Sequence, residues 1–226
     1  MRVFEPTDVR HASHSARLEI GFAHAASGWA NAKAEFSDGT LSICGHPVME
    51  DWEAPYMRRL GEIASSNGGV VLEVGFGMGI AATFIQSHGV RKHIVVEANR
   101  DVFRCLEEFA TRYRKSVIPL FGFWQDVMPS IADESVDGIL FDTYPLNENE
   151  VHCNHYPFFE HAYRVLKKGG VLTYYSDEIS DFSHAHRNLL RDAGFEDIAH
   201  ELCRVSPPQT CVYWHGDTIV APIITK

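Results

Sequence analysis

VLEVGFGMGI, residues Val71–Ile80, is an aliphatic run that breaks into glycine at alternate positions, Gly75, Gly77 and Gly79. Glycine weakens regular structure and serves where the backbone turns sharply or comes close to a ligand. A strand, a glycine-rich turn and a helix, in that order, open a Rossmann-type unit. The dinucleotide fingerprint G-x-G-x-x-G is not met, because its sixth position holds Ile80. An acid, Glu73, stands before the first glycine instead. A carboxylate there suits amino or hydroxyl groups, whereas cofactor phosphates call for bare amides. The competing reading is a tight turn with no ligand.

Working outward, β-rich runs alternate with segments of helical spacing from Gly69 onward. Strands are expected at Val70–Val74, His93–Glu97, Val117–Phe121, Val136–Asp142 and Val171–Tyr175. Helices are expected at Ile80–Ser87, Arg100–Lys115, Phe158–Leu166 and His184–Ala193. This rhythm predicts an α/β fold with a parallel sheet covered by helices on both faces. Near the end, Cys203–Val205, Cys211–Trp214 and Ile219–Ile224 are β-rich, and too close together for crossover helices, so antiparallel strands should finish the sheet. Upstream, Val48, Trp52, Tyr56, Leu60 and Ile63 fall at helical spacing within Pro47–Ser65. A single domain over 1–226 is expected: an arm and cover to about residue 40, a helical cap over 41–68, and a Rossmann-like core over 69–226.

Composition narrows the partners. A formal net charge of −10 argues against nucleic acid, whose phosphates draw clustered Lys and Arg. Five cysteines, odd in number and never spaced C-x-x-C, fit a reducing, cytoplasmic setting without a zinc site, and no metal is expected elsewhere. No run is long enough for a membrane span, and the first residues lack the apolar core of a signal peptide. A monomer or homodimer is expected.

Three further residues carry chemistry. Glu97 lies 22 positions after Gly75, where a Rossmann-type fold sets the carboxylate that grips ribose hydroxyls. Glu73, the glycines and Glu97 together imply an adenosyl ligand and leave NAD and S-adenosylmethionine both open. Asp142 ends a strand that is apolar nearly throughout, so the strand delivers its carboxylate into the ligand crevice; an Asx turn or helix cap is the plainer alternative. Trp124, in Gly122–Asp126 after the third strand, suits either stacking on adenine or core packing.

At this point the chain resembles the guanidinoacetate N-methyltransferase family. The matching stretches are HPVMEDWEAPYM (46–57), VLEVGFGMGIAA (71–82), DGILFDTYPL (137–146), HAYRVLKKGGVLTY (161–174) and APIITK (221–226). FGFWQDVMP (121–129) and EAN (97–99) also look like the related fungal arginine δ-N-methyltransferases. The resemblance spans about Trp29 to the C-terminus. It implies a Rossmann-like class I methyltransferase with a seven-stranded sheet. The donor would be S-adenosylmethionine, leaving S-adenosylhomocysteine, and the acceptor a small guanidino compound. Guanidinoacetate, giving creatine, is the family default; free arginine or another small guanidino compound is the alternative, ahead of a protein arginine methyltransferase or a non-catalytic adenosyl-binding module. By matching motif, the cofactor would meet Trp29, Met49, Met57, Gly75, Phe76, Gly77, Met78, Gly79, Ile80, Glu97, Phe123, Trp124 and Asp142. Glu53 and Asp142 would hold the guanidino group, with catalysis falling to this pair.

The residues themselves agree with a paired role. On a helix Met49, Glu53 and Met57, four apart, would share one face, with Pro55 kinking or restarting it. One segment departs from the family. Ser176–Asp181 stands where the family binds the substrate carboxylate through backbone amides, and here it carries Asp177, Glu178 and Asp181. Those acids would repel a carboxylate and welcome an ammonium. Asp177 and Glu178 are therefore expected at the far end of the substrate.

Overall fold

The computed structural model describes residues 21–22 and 26–226. The expected arm therefore lies mostly outside the described residues. The cover is ordered as a short helix α1 (Ala26–Asn31) and a three-stranded antiparallel sheet, β1 (Ala34–Ser37), β2 (Thr40–Ile43) and β3 (His46–Glu50).

The helix expected over Pro47–Ser65 is three things in succession. Pro47 and Val48 lie in β3, Asp51–Glu53 form a 3-10 turn, and α2 runs from Ala54 to Ala64. Two features end the strand and start the helix. Glu50 and Glu53 cap each other reciprocally, and Pro55 sits in the first turn of α2, where its missing N–H costs nothing. The cap over 41–68 is thus part β-structure, and helical spacing in Val48 and Trp52 was a coincidence of strand and turn.

The core then runs in the expected order: β4 (Val70–Val74), α3 (Ile80–Ser87), β5 (Lys92–Glu97), α4 (Arg100–Arg112) and β6 (Val117–Phe121). After these come a short α5 (Trp124–Val127), β7 (Val136–Phe141), α6 (Phe159–Val165), β8 (Leu166–Tyr174), α7 (His184–Asp192), β9 (Asp197–Arg204) and β10 (Thr218–Thr225). The strands lie in the order β6-β5-β4-β7-β8-β10-β9. All pairs from β6 to β8 are parallel, and β10 runs antiparallel to both its neighbours. Cys211–Trp214, expected as a strand, belongs instead to the loop joining β9 to β10.

Alternation along the strands divides the core into two layers. Val71, Val95 and Leu140 pack on one side with Leu60 of α2, Ile85 of α3 and Leu106 of α4. Leu72, Val96 and Ile139 pack on the other with Ala162 and Val165 of α6 and Leu190 of α7. Leu106 and Leu190 are fully enclosed, each removing side-chain surface worth about 1.5–3 kcal/mol from water. The helices begin where polar side chains take up free amides. Asn99 accepts from the amides of Asp101 and Val102 at the start of α4, and Ser183 accepts from that of His186 at the start of α7.

Candidate active site

The chain winds outward from β4 through β5 to β6, then returns to the other side of β4 to lay down β7 and β8. Ligands in such sheets bind beyond the carboxyl ends of the strands, where the winding reverses. Here that point lies between Gly75 and Asp142. The amide of Asp142 donates to the carbonyl of Val74 (2.8 Å), and the amide of Gly75 donates to that of Val96 (2.8 Å). Gly75 has φ +93°, and a Cβ there would stand 1.8 Å from the carbonyl oxygen of Asp142. Any side chain would push the two strand ends apart.

A cavity of about 350 Å³ opens above this junction. One part of its wall has the character of a nucleoside site. Glu97, at the end of β5, accepts from the amide of Phe76 (3.0 Å) and from that of Asn99 (2.7 Å). Burial raises its pKa, and the amides around it act in the opposite sense. The backbone amides of Phe76, Gly77, Ala98 and Asn99 all surround this carboxylate, which lines the cavity wall. Gly75, Gly77, Trp29, Met49, Phe123 and Trp124 share this wall. Gly77, at φ +53°, lies against the thioether of Met49, which a Cβ would meet at 3.0 Å. Trp124 is both cavity wall and core: its ring stands edge-on to Phe141 (6.1 Å between centroids) and to Phe158 (5.4 Å).

The N-terminal elements close over this wall. Trp29 of α1 stacks on Tyr144 with centroids 5.0 Å apart and planes 9° from parallel. Tyr144 in turn shares a hydrogen bond with Nδ1 of His46 (2.9 Å). The side-chain amide of Asn99 donates to the carbonyls of Trp29 (2.9 Å) and Ala32 (2.8 Å), while its oxygen caps α4. One residue thus ties the cover to the end of β5.

The other part of the wall is acidic. Glu53, Asp142, Glu150 and Asp177 all line the cavity, and no Lys, Arg or His is among the described residues that do. Glu53 is buried to 2% exposure, and its pKa rises to about 8, chiefly through burial, with Asp142 adding to the rise. Oε1 of Glu53 accepts from the amide of Glu50 (2.9 Å) and from the hydroxyl of Tyr213 (2.6 Å), both of which favour the ionised form. Asp142 rises to about 7, first through burial and then through the nearby charges of Asp177 and Glu73. Asp177 holds a left-handed backbone, φ +54°, and its carboxylate lies 3.3 Å from Nδ1 of His152.

Seven of the expected residues do not line this cavity. Glu73 occupies the face of β4 that carries Val71, and its Oε2 lies 2.7 Å from Nε2 of His93, itself held by Gln86 (3.1 Å). Strand alternation turns it into the helical layer rather than the cavity. Met57 is enclosed in the core on α2, because α2 begins after Glu53 and does not extend the face back to Met49. Phe76 packs on Phe109 beneath Gly79, and neither Phe76, Met78, Gly79 nor Ile80 lines the cavity. Glu178 does not line the cavity and lies 3.3 Å from Nδ1 of His186, the left-handed turn at Asp177 sending the two neighbouring acids to different surroundings. Tyr213 was missed altogether. Its loop carries no motif, and only the pairing with Glu53 gives it meaning.

The profile of the guanidinoacetate N-methyltransferase family matches residues 20–226. The chain belongs to this family. It is also similar to protein arginine N-methyltransferase 2 of Yarrowia lipolytica, 29% identical over 185 residues, which cover 77% of this chain and 38% of that protein. The protein of the same name from Candida glabrata is 34% identical over 123 residues, 50% of this chain and 30% of the relative. The matches therefore span only about a third of the length of these curated relatives. Among solved structures, spermidine synthase from Thermotoga maritima superposes with a TM-score of 0.59 at 14% identity, covering 85% of this chain and 72% of that one. M. jannaschii TYW2, solved in complex with AdoMet, gives 0.58 at 15% identity, covering 87% of each chain. These two share the fold, a Rossmann-like class I methyltransferase sheet.

Proposed function

We propose that this family member transfers a methyl group from S-adenosylmethionine to the guanidino group of a small molecule. The observation that carries the reading is the meeting of Glu53 and Asp142 in one cavity with Glu97. The wall fits the donor. Glu97 offers a buried carboxylate to a ribose diol, Gly75 and Gly77 bring bare backbone to the cavity wall, and Trp29, Phe123 and Trp124 supply aromatic surface. Bound there, S-adenosylmethionine would supply a methyl group on a sulfonium.

A guanidinium is planar, keeps its proton to above about pH 12 and has no free lone pair. Two carboxylates on different edges offset its charge and hold its N–H groups by charge-assisted hydrogen bonds. Drawing the positive charge toward those edges leaves the third nitrogen more amine-like. Glu53 already takes two donors on Oε1, which makes it the fixed anchor. Asp142, delivered into the cavity by β7, is the acid left to accept the proton that the methylated nitrogen must release. Its carboxylate is the general base in this reading, and orientation supplies much of the remaining acceleration.

Guanidinoacetate, yielding creatine, is the first substrate to test on family grounds. One observation favours free arginine as the second: Asp177 lines the cavity among other acids, where an α-ammonium would be welcome and a lone carboxylate would not. Five free cysteines support a reducing, cytoplasmic setting. The test is a panel of guanidinoacetate, arginine, agmatine, guanidinobutyrate and an arginine peptide with labelled methyl donor. Transfer to none of the small guanidines would overturn the reading, and transfer to the peptide alone would move the protein to the activity its curated relatives are named for.

A further inference from the structure

Tyr213 reaches the cavity from the loop between β9 and β10, between the buried side chains of Cys211 and Trp214. Its ring packs against Trp52 at 5.8 Å, so the loop and the Asp51–Glu53 turn form one wall. Its hydroxyl donates to Oε1 of Glu53 (2.6 Å), the same oxygen that takes the amide of Glu50 (2.9 Å). The matching family motifs assign no role to this tyrosine.

We propose that Tyr213 is a positioning residue for Glu53: with the Glu50 amide it saturates Oε1, so that Oε2 alone meets the guanidinium. This geometry has three consequences. The carboxylate cannot rotate to offer both oxygens without breaking two hydrogen bonds. Glu53 therefore grips one N–H edge, and Asp142 is left to take the other edge and the proton. Donation by Tyr213 also favours the charged carboxylate within a setting that opposes it. Around Glu53 stand Asp142, Glu50, Tyr175, Cys211 and Tyr213, and among these only hydrogen bonds from Tyr213 and the Glu50 amide act to ionise it. The phenol keeps its own proton, since burial and the Glu53 charge push its pKa up.

This role rests on the proposed methyl transfer for its meaning, but its test does not. Carboxyl-¹³C glutamate is incorporated into the full chain, the Glu53 resonance is assigned with Glu53→Gln, and its pH titration is followed without substrate. Tyr213→Phe is expected to move the Glu53 midpoint to higher pH. Replacing Tyr213 with 3-fluorotyrosine, a stronger donor that keeps the ring, is expected to move it lower and also serves if the Phe variant does not fold. An unmoved midpoint in the folded variants overturns the proposal. Where a guanidine substrate is found, Tyr213→Phe should raise its KM about ten- to a hundredfold, the worth of a hydrogen bond to a charged group, with a smaller effect on kcat. A variant that loses thermal stability yet keeps wild-type KM and pH profile would reduce Tyr213 to packing. Failure of every guanidine to react would refute the methyl-transfer reading and leave the titration result standing.

Discussion

Asn99 joins two elements that sequence places 70 residues apart: its Nδ2 donates to the carbonyl of Trp29 at 2.9 Å while its Oδ1 caps α4. The cover over the cavity is therefore fastened just beyond the strand end that carries Glu97. Asn99→Ser retains a good cap but loses the reach to Trp29 and Ala32. Affinity for S-adenosylhomocysteine should fall several-fold by calorimetric titration, with only a small drop in melting temperature. Unchanged affinity would mean that α1 holds its place without this tie.

Glu97→Ala removes a carboxylate proposed to hold the ribose, which donor and demethylated product share. Both should bind about ten- to a hundredfold more weakly, corresponding to about 1.5–3 kcal/mol for hydrogen bonds to a charged group. Calorimetry with both ligands checks this, and an effect on only one of them would place Glu97 away from the ribose.

Asp142→Asn and Glu53→Gln keep size and remove charge. Each should cut turnover by orders of magnitude in a folded protein, and the double variant should lose less than the two losses combined, because the acids grip one ion. Single-turnover assays with saturating methyl donor measure this directly. Near-normal turnover in Glu53→Gln would end the two-carboxylate mechanism.

Asp177 and Glu178, adjacent in sequence, should separate cleanly. Asp177→Asn should shift preference from arginine toward guanidinoacetate, read as the ratio of kcat/KM values. Glu178→Gln, which faces His186 in the interior, should change stability without changing that ratio.

The raised pKa values also fix how stability responds to pH. Glu53 rises from 4.5 to about 8 and Asp142 from 3.8 to about 7, so between those limits the folded protein holds protons the unfolded chain has released. Stability from these two groups is thus greatest below about pH 4 and declines as pH rises toward 8. Thermal melts of the protein without ligand should show this decline, and Glu53→Gln should flatten it. Activity should run the opposite way, rising through the same range as the carboxylates ionise.

The parallel core was readable because its signals are local. Val70–Val74, Ile80–Ser87 and Val117–Phe121 lie where pattern and turn residues put them. Glu97 and Asp142 were legible for the same reason, since a strand end in this fold is already an address. What escaped reading depends on which way a side chain faces once neighbouring strands are in register. Glu73 looked like part of the glycine turn and instead meets His93, two positions back from its register partner Val95. Met49 and Glu53 reached the cavity by a strand and a turn rather than by the helix that their spacing implied. Tyr213 had no local signal at all.

The buried acids bear on how this protein is handled as well as on what it does. A cation placed between Glu53 and Asp142 would displace protons and relieve the repulsion that burial now imposes on them. Such a guest binds the folded chain and not the unfolded one, so it stabilises the fold by mass action. A well-chosen guanidine in the buffer should therefore raise the melting temperature most at alkaline pH. That dependence would turn a simple melting screen into a search for the natural substrate.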